Sequence, residues 1–186
     1  MDGPPLKEGV VFGAASFVVG YLLTGLVVFL GESDELTENL FESAGWLYYN
    51  SQFADLTVTS AFLGESASTT FNYLTDGTLF GNSLDVLEVP GVIYHLIPVV
   101  VLVGAGFLLA GYADARSLGG GALAGGSLVA GTLVLALVGT VLFSVEQSQF
   151  GVSLEASPAL VQGTLLVGIL YPAVFGALGG MLSAEL

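Results

Sequence analysis

The chain has 186 residues, of which 54% are hydrophobic, and 16 acidic side chains against two basic ones give it a formal net charge of −14. Its mean hydropathy of +0.87 argues against a soluble globular domain, and the two bases argue against a nucleic-acid partner, because phosphate backbones are held mainly by Lys and Arg. The lack of cysteine excludes disulfides, thiolate metal sites and cysteine nucleophiles.

Four stretches carry no Asp, Glu, Lys or Arg: residues 9–30, 91–112, 119–143 and 159–182. A helix that crosses the bilayer core needs roughly 20 apolar residues, and each stretch meets that length. The sequence therefore predicts an all-α membrane protein, a four-helix transmembrane bundle with a folded extracellular segment. Residues 1–30 form the N-terminal tail and first transmembrane helix, 31–90 an acidic outer segment, and 91–186 the other three helices.

The two cations indicate the topology. Lys7 precedes the first stretch and Arg116 lies between the second and third, so a four-helix path brings both to the same side of the membrane. By the positive-inside rule that side is cytoplasmic. The segment 31–90 has ten acids and no base, which fits the outer side. We expect cytoplasmic termini and an extracellular segment 31–90 in a multipass protein of the cell membrane.

Apolar residues recur at helical spacing early in the outer segment, whereas acids occupy the opposite side. The apolar set is Leu36, Leu40, Phe41, Ala44, Leu47 and Tyr48, and the acidic set is Glu35, Glu38 and Glu42. This pattern predicts an amphipathic helix that lies on the outer membrane surface or on the bundle.

Aromatic residues end that helix, with Trp46, Tyr48 and Tyr49 the main candidates for interface anchors. Such rings have an apolar body and a polar tip, which suits the headgroup layer. Ligand binding is the alternative role. Further along, residues 69–75 alternate as a strand does, and Asp76-Gly77 is a turn signal before residues 78–80, which predicts a small hairpin.

Glycine and alanine recur every four residues within the apolar stretches, and small residues at this spacing let helix backbones approach closely. The candidate helix-packing residues are Gly9, Gly13, Gly121, Gly125, Gly126, Gly176 and Gly180. These faces favour either assembly between subunits or packing within one bundle.

His95 is the only histidine, and it lies three residues before Pro98 in the second stretch. Histidine changes charge readily near neutral pH, so it is a candidate for a switch or for the lining of a cavity. A neutral hydrogen-bonding partner between helices is the structural alternative. The other candidates for a path or switch are polar residues and prolines of the second and fourth stretches: Tyr94, Pro98, Gln162, Tyr171 and Pro172.

Catalysis and metal binding find little support in the composition. The chain has one histidine and no cysteine, and the four stretches contain no carboxylate. This composition excludes most familiar sets of catalytic residues and metal ligands. We expect no enzyme activity, no cofactor and no metal site.

The acid excess with almost no lysine resembles the composition of proteins from halophilic archaea. The layout, with Gly-rich spans and the aromatic run Gly45-Trp46-Leu47-Tyr48-Tyr49-Asn50, resembles small multipass membrane proteins of unknown function from those organisms. The expected role is a non-catalytic structural or accessory subunit that assembles through Gly-rich helix faces. Its expected partners are the lipid bilayer and either further copies or other membrane subunits. The alternative is a channel or carrier for a small neutral or cationic solute, with Pro-kinked helices along the path.

Overall fold

The computed structural model describes residues 5–32, 34–62, 65–76, 78–79, 82–83, 87–149 and 152–186. Within these residues, four helices are long and apolar enough to cross a membrane: Leu6–Gly31, Gly91–Tyr112, Leu118–Leu142 and Leu160–Glu185. They are named the first to fourth spans. The prediction of four candidate membrane-spanning helices is confirmed, as expected of a membrane protein.

The third and fourth spans are composite. The third consists of helices Leu118–Gly126 and Val129–Leu142, and the Ser117 side chain caps its start by accepting a hydrogen bond from the Gly120 amide. The fourth combines α-helical ends, Leu160–Gln162 and Ala177–Glu185, with π-helical turns Gly163–Leu170 and Pro172–Gly176. The π form is rare, and its second stretch begins at Pro172, where the missing amide proton interrupts the helical hydrogen bonds.

Glycine contacts set how the spans pack. A Cβ at Gly9 would meet Ser127 and one at Gly13 would meet Leu128 and Gly131, so the first and third spans lie side by side and run in the same direction. The fourth span runs antiparallel to the third, because Gly176 meets Gly125 and Gly180 meets Gly121. Backbones that approach this closely leave no room for side chains, which is why glycine occupies these positions.

Between the first two spans the chain forms a short helix, Asp34–Thr37, and a longer one, Leu40–Asn50, named the cap helix. Most of the cap helix is buried, including Ala44, Leu47, Tyr48 and Tyr49. It packs against the first span and its aromatic rings reach the third. Of the two predicted locations for this helix, the structure has the one on the bundle.

The prediction of an all-α fold was wrong, because the same end of the bundle carries a four-stranded antiparallel sheet. Its strands are β1 (Leu56–Phe62), β2 (Glu65–Phe71), β5 (Val145–Gln149) and β6 (Val152–Pro158), in the order β2-β1-β6-β5. One hairpin comes from the segment after the cap helix and the other joins the third and fourth spans. The two hairpins join into one four-stranded sheet because β1 pairs with β6.

The expected hairpin around Asp76-Gly77 also needs correction. Thr69, Thr70 and Phe71 do lie in a strand, but that strand pairs backward with β1 rather than forward. The chain turns immediately afterward, where the Asn72 amide donates to the Asp76 carboxylate at 2.7 Å. Residues Thr78–Leu79 (β3) instead pair with Asn82–Ser83 (β4), whereas Gly77 and Phe80 lie outside the described residues.

Candidate functional site

The cap helix inserts two tyrosines between the spans. The Tyr49 hydroxyl donates to the carbonyl of Ala136 in the third span at 2.5 Å, and the Tyr48 ring packs edge-on against Phe17 with centroids 5.1 Å apart. Burial raises the pKa of both phenols above the ordinary value, and for Tyr49 the neighbouring Tyr48 adds to the rise. These rings are packed inside the protein, so they are not available to the headgroup layer.

Trp46 is also tied to the protein. Its indole Nε1 donates to the Phe143 carbonyl at 2.7 Å, and its ring stacks on Tyr73. Three glycines make space for this aromatic cluster, because a Cβ at Gly20 would strike Tyr48, one at Gly139 would strike Tyr49, and one at Gly45 would strike Phe143. The cap helix therefore closes one end of the bundle by close packing.

Gln162 holds the base of the sheet rather than facing a path. Its Oε1 accepts from the Asp55 amide at 2.7 Å and its Nε2 donates to Asp55 Oδ2 at 3.1 Å. Asn72 Nδ2 donates to the other oxygen of Asp55 at 3.2 Å. The carboxylate thus joins the fourth span, the start of β1 and the end of β2 in one network.

Beside this network, the Asn50 side chain makes hydrogen bonds to two other segments of the chain. Its Nδ2 donates to the Ala54 carbonyl at 2.8 Å, and its Oδ1 accepts from the Tyr73 amide at 2.9 Å. Gln52 is fully buried next to it, and its Nε2 donates to the Tyr48 carbonyl at 3.1 Å. Among the described residues, the Oε1 of Gln52 is the buried side-chain oxygen that has no hydrogen-bond partner.

His95 lies against the end of the cap helix. Its Nδ1 is 2.7 Å from the Ser51 carbonyl, which can only accept, so Nδ1 carries the proton. The Phe53 ring stacks on the imidazole with centroids 4.7 Å apart. Phe53 has a φ of 60°, a left-handed conformation that costs a non-glycine residue about 1 kcal/mol, so the surrounding contacts hold it there.

Tyr94 joins the ends of the first two spans. Its hydroxyl donates to Glu32 Oε1 at 2.5 Å, and Glu32 Oε2 accepts from the Glu88 amide at 2.8 Å. Glu32 directly follows the first span, so its carboxylate fastens the chain that enters the second span. This arrangement occupies the Tyr94 hydroxyl, which the sequence suggested for a path.

The two prolines that were expected to kink the helices, Pro98 and Pro172, are both buried within the bundle. Pro98 is buried in the second span, and Pro172 lies four residues after Gly168, whose carbonyl accepts a hydrogen bond from Thr132 Oγ1 at 3.0 Å. Thr132 thereby joins the third span to the π-helical turn that precedes Pro172 in the fourth. Tyr171 packs against Phe175 with ring centroids 5.2 Å apart.

The candidate path residues are therefore divided among separate places. Tyr94 bonds Glu32 and His95 bonds the Ser51 carbonyl, while Gln162 bonds Asp55. Tyr171 belongs to a deeper apolar cluster with Leu102 and Leu128. Within the described ranges, no group of three or more His, Cys, Asp or Glu side chains could hold a metal ion.

The predicted helix-packing glycines contact other spans of the same chain. A Cβ on most of them would collide with backbone or side-chain atoms of a neighbouring span: Gly9, Gly13, Gly121, Gly125, Gly176 and Gly180. Gly126 is different, since a Cβ there would find its nearest neighbour, the Ala173 carbonyl oxygen, 4.0 Å away. Six of the seven glycines thus already pack within one bundle.

Sequence reasoning missed the residues that fasten the cap. Glu32, Ser51 and Asp55 contact partners 44 to 107 positions away, and no local pattern indicates such pairs. The strand β6 did carry a signal, because Val152, Leu154 and Ala156 alternate with polar residues after Phe150-Gly151.

Comparison with known proteins gives one result. All residues, 1–186, match the model of a family described as Family of unknown function (DUF7978). A search of curated proteins and a search of solved structures each found no match. Since the match covers the whole chain, the protein belongs to the DUF7978 family of unknown function.

Proposed function

We propose that this protein is a non-catalytic structural or accessory subunit of a membrane assembly. The observation that carries the proposal is the buried cap helix, which fills one end of the bundle with Tyr48 and Tyr49. The polar residues that a path would need are engaged with the protein itself, as the Asp55 and Gln162 pair illustrates. A scaffold needs such internal fastening, whereas a transport path needs polar groups that meet a solute.

The glycine contacts bear on how the subunit would assemble. Because six of the seven helix-packing glycines meet another span of the same chain, assembly through those faces would require the bundle to open. The sheet is a more accessible surface for a partner. Partners are therefore expected to bind at the sheet end of the molecule.

Native mass spectrometry of the protein, purified from its own membrane in mild detergent at high salt, tests the proposal. A stable complex with another membrane subunit is expected. A strictly monomeric particle would contradict the subunit role. Replacement of His95 by Ala is a second test, since a packing role lowers stability and leaves the complex composition unchanged. Loss of solute flux in proteoliposomes, with normal stability, would favour the channel or carrier.

We also infer the orientation and the surroundings. Lys7 and Arg116 lie at the end of the bundle opposite to the sheet, which favours a cytoplasmic location for that end and an extracellular sheet. Accessibility of a single cysteine at Ser68 to a membrane-impermeant thiol reagent in intact cells tests this orientation. The acid excess supports a role in concentrated salt, as in halophilic archaea, and the salt dependence of unfolding tests that inference.

A further inference from the structure

Within the described part of the chain, strand β2 is an edge of the sheet with no strand paired on its outer side. It lies first in the order β2-β1-β6-β5, and six of its seven residues are exposed. Edge strands are usually blunted by proline, lysine or a bulge, because unpaired backbone groups attract other strands. The sequence of β2, ESASTTF, has no proline and no base. Among the described residues, only β1 pairs with β2.

The backbone of β2 fixes what can bind there. Two residues connect β1 to β2, so Phe62 and Glu65 form the hydrogen-bonded closing pair and the pairs alternate from there. The amide and carbonyl groups of Ser66, Ser68 and Thr70 then point away from β1. A row of alternating donors and acceptors at this spacing is matched by another extended polypeptide segment.

The side chains beside the edge indicate the pattern of that segment. Phe62, Val152 and Leu154 lie on one face of the sheet near its tip and are 53%, 41% and 43% exposed. On the same face of β2, Ala67 is small, so a large apolar side chain on an added strand can lean over it toward Phe62. The opposite face of β2 presents the hydroxyls of Ser66, Ser68 and Thr70. A strand with apolar residues on one side and polar residues on the other fits both faces.

Charge distinguishes two candidate partners for this edge, a second copy of this chain and a different protein. Glu65 lies at the tip of β2, on the apolar face, where a basic residue of an added strand would stand directly opposite. The two connections at the sheet end contain twelve acids and no base, ten in residues 31–90 and two in residues 144–159. A second copy would bring only more acids to this end. A basic segment of another protein is complementary.

We infer that β2 is the docking edge for an extended, basic, alternating segment of a different protein, which adds as a fifth strand to the sheet. This inference rests on the proposed subunit role and specifies the surface through which the partner binds. The main chain of β2 supplies the hydrogen bonds, and Glu65 together with the exposed ring of Phe62 on the adjacent strand selects the segment.

Photo-crosslinking in native membranes tests the inference. A photoreactive amino acid is introduced at Ser66 on β2, or at Ser148 on the other edge strand, β5. The expected adduct forms from position 66 with a lysine- or arginine-containing segment of another protein, and Ser68→Pro abolishes it because the outward amide is lost. The matched control Ser148→Pro, an outward-facing serine on β5, leaves it intact. The inference would be overturned by adducts with a second copy of this chain or with lipid alone, and by adducts that form equally well from position 148. The absence of any adduct would also overturn it.

A peptide probe gives an independent measurement on the purified protein. The peptide Val-Thr-Val-Lys-Val-Thr-Lys carries the inferred pattern, and its twin has Glu at both Lys positions. We expect the basic peptide to bind, with about tenfold weaker binding to the Ser68→Pro variant, and the acidic twin not to bind. Equal binding of both peptides would contradict the charge argument.

Two further readouts keep the outcomes distinct. If the Ser68→Pro variant loses the sheet signal in circular dichroism, the Ser68→Lys variant is used in its place. A lysine on this edge repels a basic strand without removing the backbone amide. A native complex that persists in the folded edge variants overturns strand addition and leaves the subunit role standing. The absence of any complex from the unmodified protein overturns both.

Discussion

Tyr49 joins two parts of the chain that lie 87 positions apart, through the bond from its hydroxyl to the Ala136 carbonyl. Its ring is fully buried, so the hydroxyl has no water to bond if that contact is removed. The phenol also titrates differently in the folded and unfolded states, because burial raises its pKa. Substitution of Tyr49 therefore tests both the packing of the cap helix and the pH dependence of stability.

Tyr49→Phe should lower the free energy of unfolding at neutral pH by about 1 kcal/mol, the usual net contribution of one hydrogen bond. Chemical or thermal unfolding in mild detergent measures the change. Tyr112→Phe is the control, because Tyr112 is 72% exposed. Equal losses in the two variants would contradict the role of the Tyr49 bond.

Alkaline pH should weaken the fold through Tyr48 and Tyr49. Their folded pKa values are raised above the unfolded value of 10.0, so the stabilisation is fully present below pH 10 and is lost as pH rises above it. The free energy of unfolding measured from pH 8 to 11.5 should therefore fall beyond pH 10, and fall less steeply in Tyr49→Phe. A parallel slope in the variant would show that other groups cause the loss.

At the scale of elements, glycine contacts between spans decide the bundle. A Cβ at Gly106 would collide with the Gly176 carbonyl, whereas one at Gly104, on the same span, meets nothing within 4 Å. Gly106→Ala should lower stability by about 1 to 3 kcal/mol, because the backbones must move apart. Gly104→Ala should be neutral or stabilise by up to about 1 kcal/mol through helix propensity. Thermal unfolding of the two variants is the measurement, and similar midpoints would contradict the packing account.

The sheet contains a like-charge pair. Glu146 of β5 and Glu155 of β6 are directly opposite in the register, and both are exposed. Glu155→Gln should raise stability by about 0.2 to 1 kcal/mol at low salt, because opposed like charges repel. The gain should shrink near 1 M salt, where the screening length is about 3 Å. Glu65→Gln is the control, since Glu65 faces Phe62. A gain that is unchanged in high salt would exclude repulsion as its cause.

At the scale of the whole molecule, charge is unevenly distributed. The connections at the sheet end hold twelve of the 16 acids, whereas Lys7 and Arg116 belong to the other end. Self-repulsion at the sheet end should oppose compaction when counterions are scarce.

The unfolding midpoint should therefore rise when KCl is increased from about 0.1 M to about 2 M, as the Debye length falls from about 10 Å to less than 3 Å. A parallel titration with sucrose at equal osmolality separates screening from solute exclusion. A midpoint that does not change with KCl would contradict a fold adapted to concentrated salt.

Sequence alone determined the four candidate spans, because hydrophobicity over about 20 consecutive residues is a local property. It also indicated the cap helix, whose apolar spacing is local. The burial of Tyr48 and Tyr49 required knowledge of which glycines lie opposite, and the sheet required the pairing of β1 with β6, which joins Leu56 to Pro158. Such contacts depend on how the spans bring distant connections to one end of the bundle, so only the tertiary structure decided them.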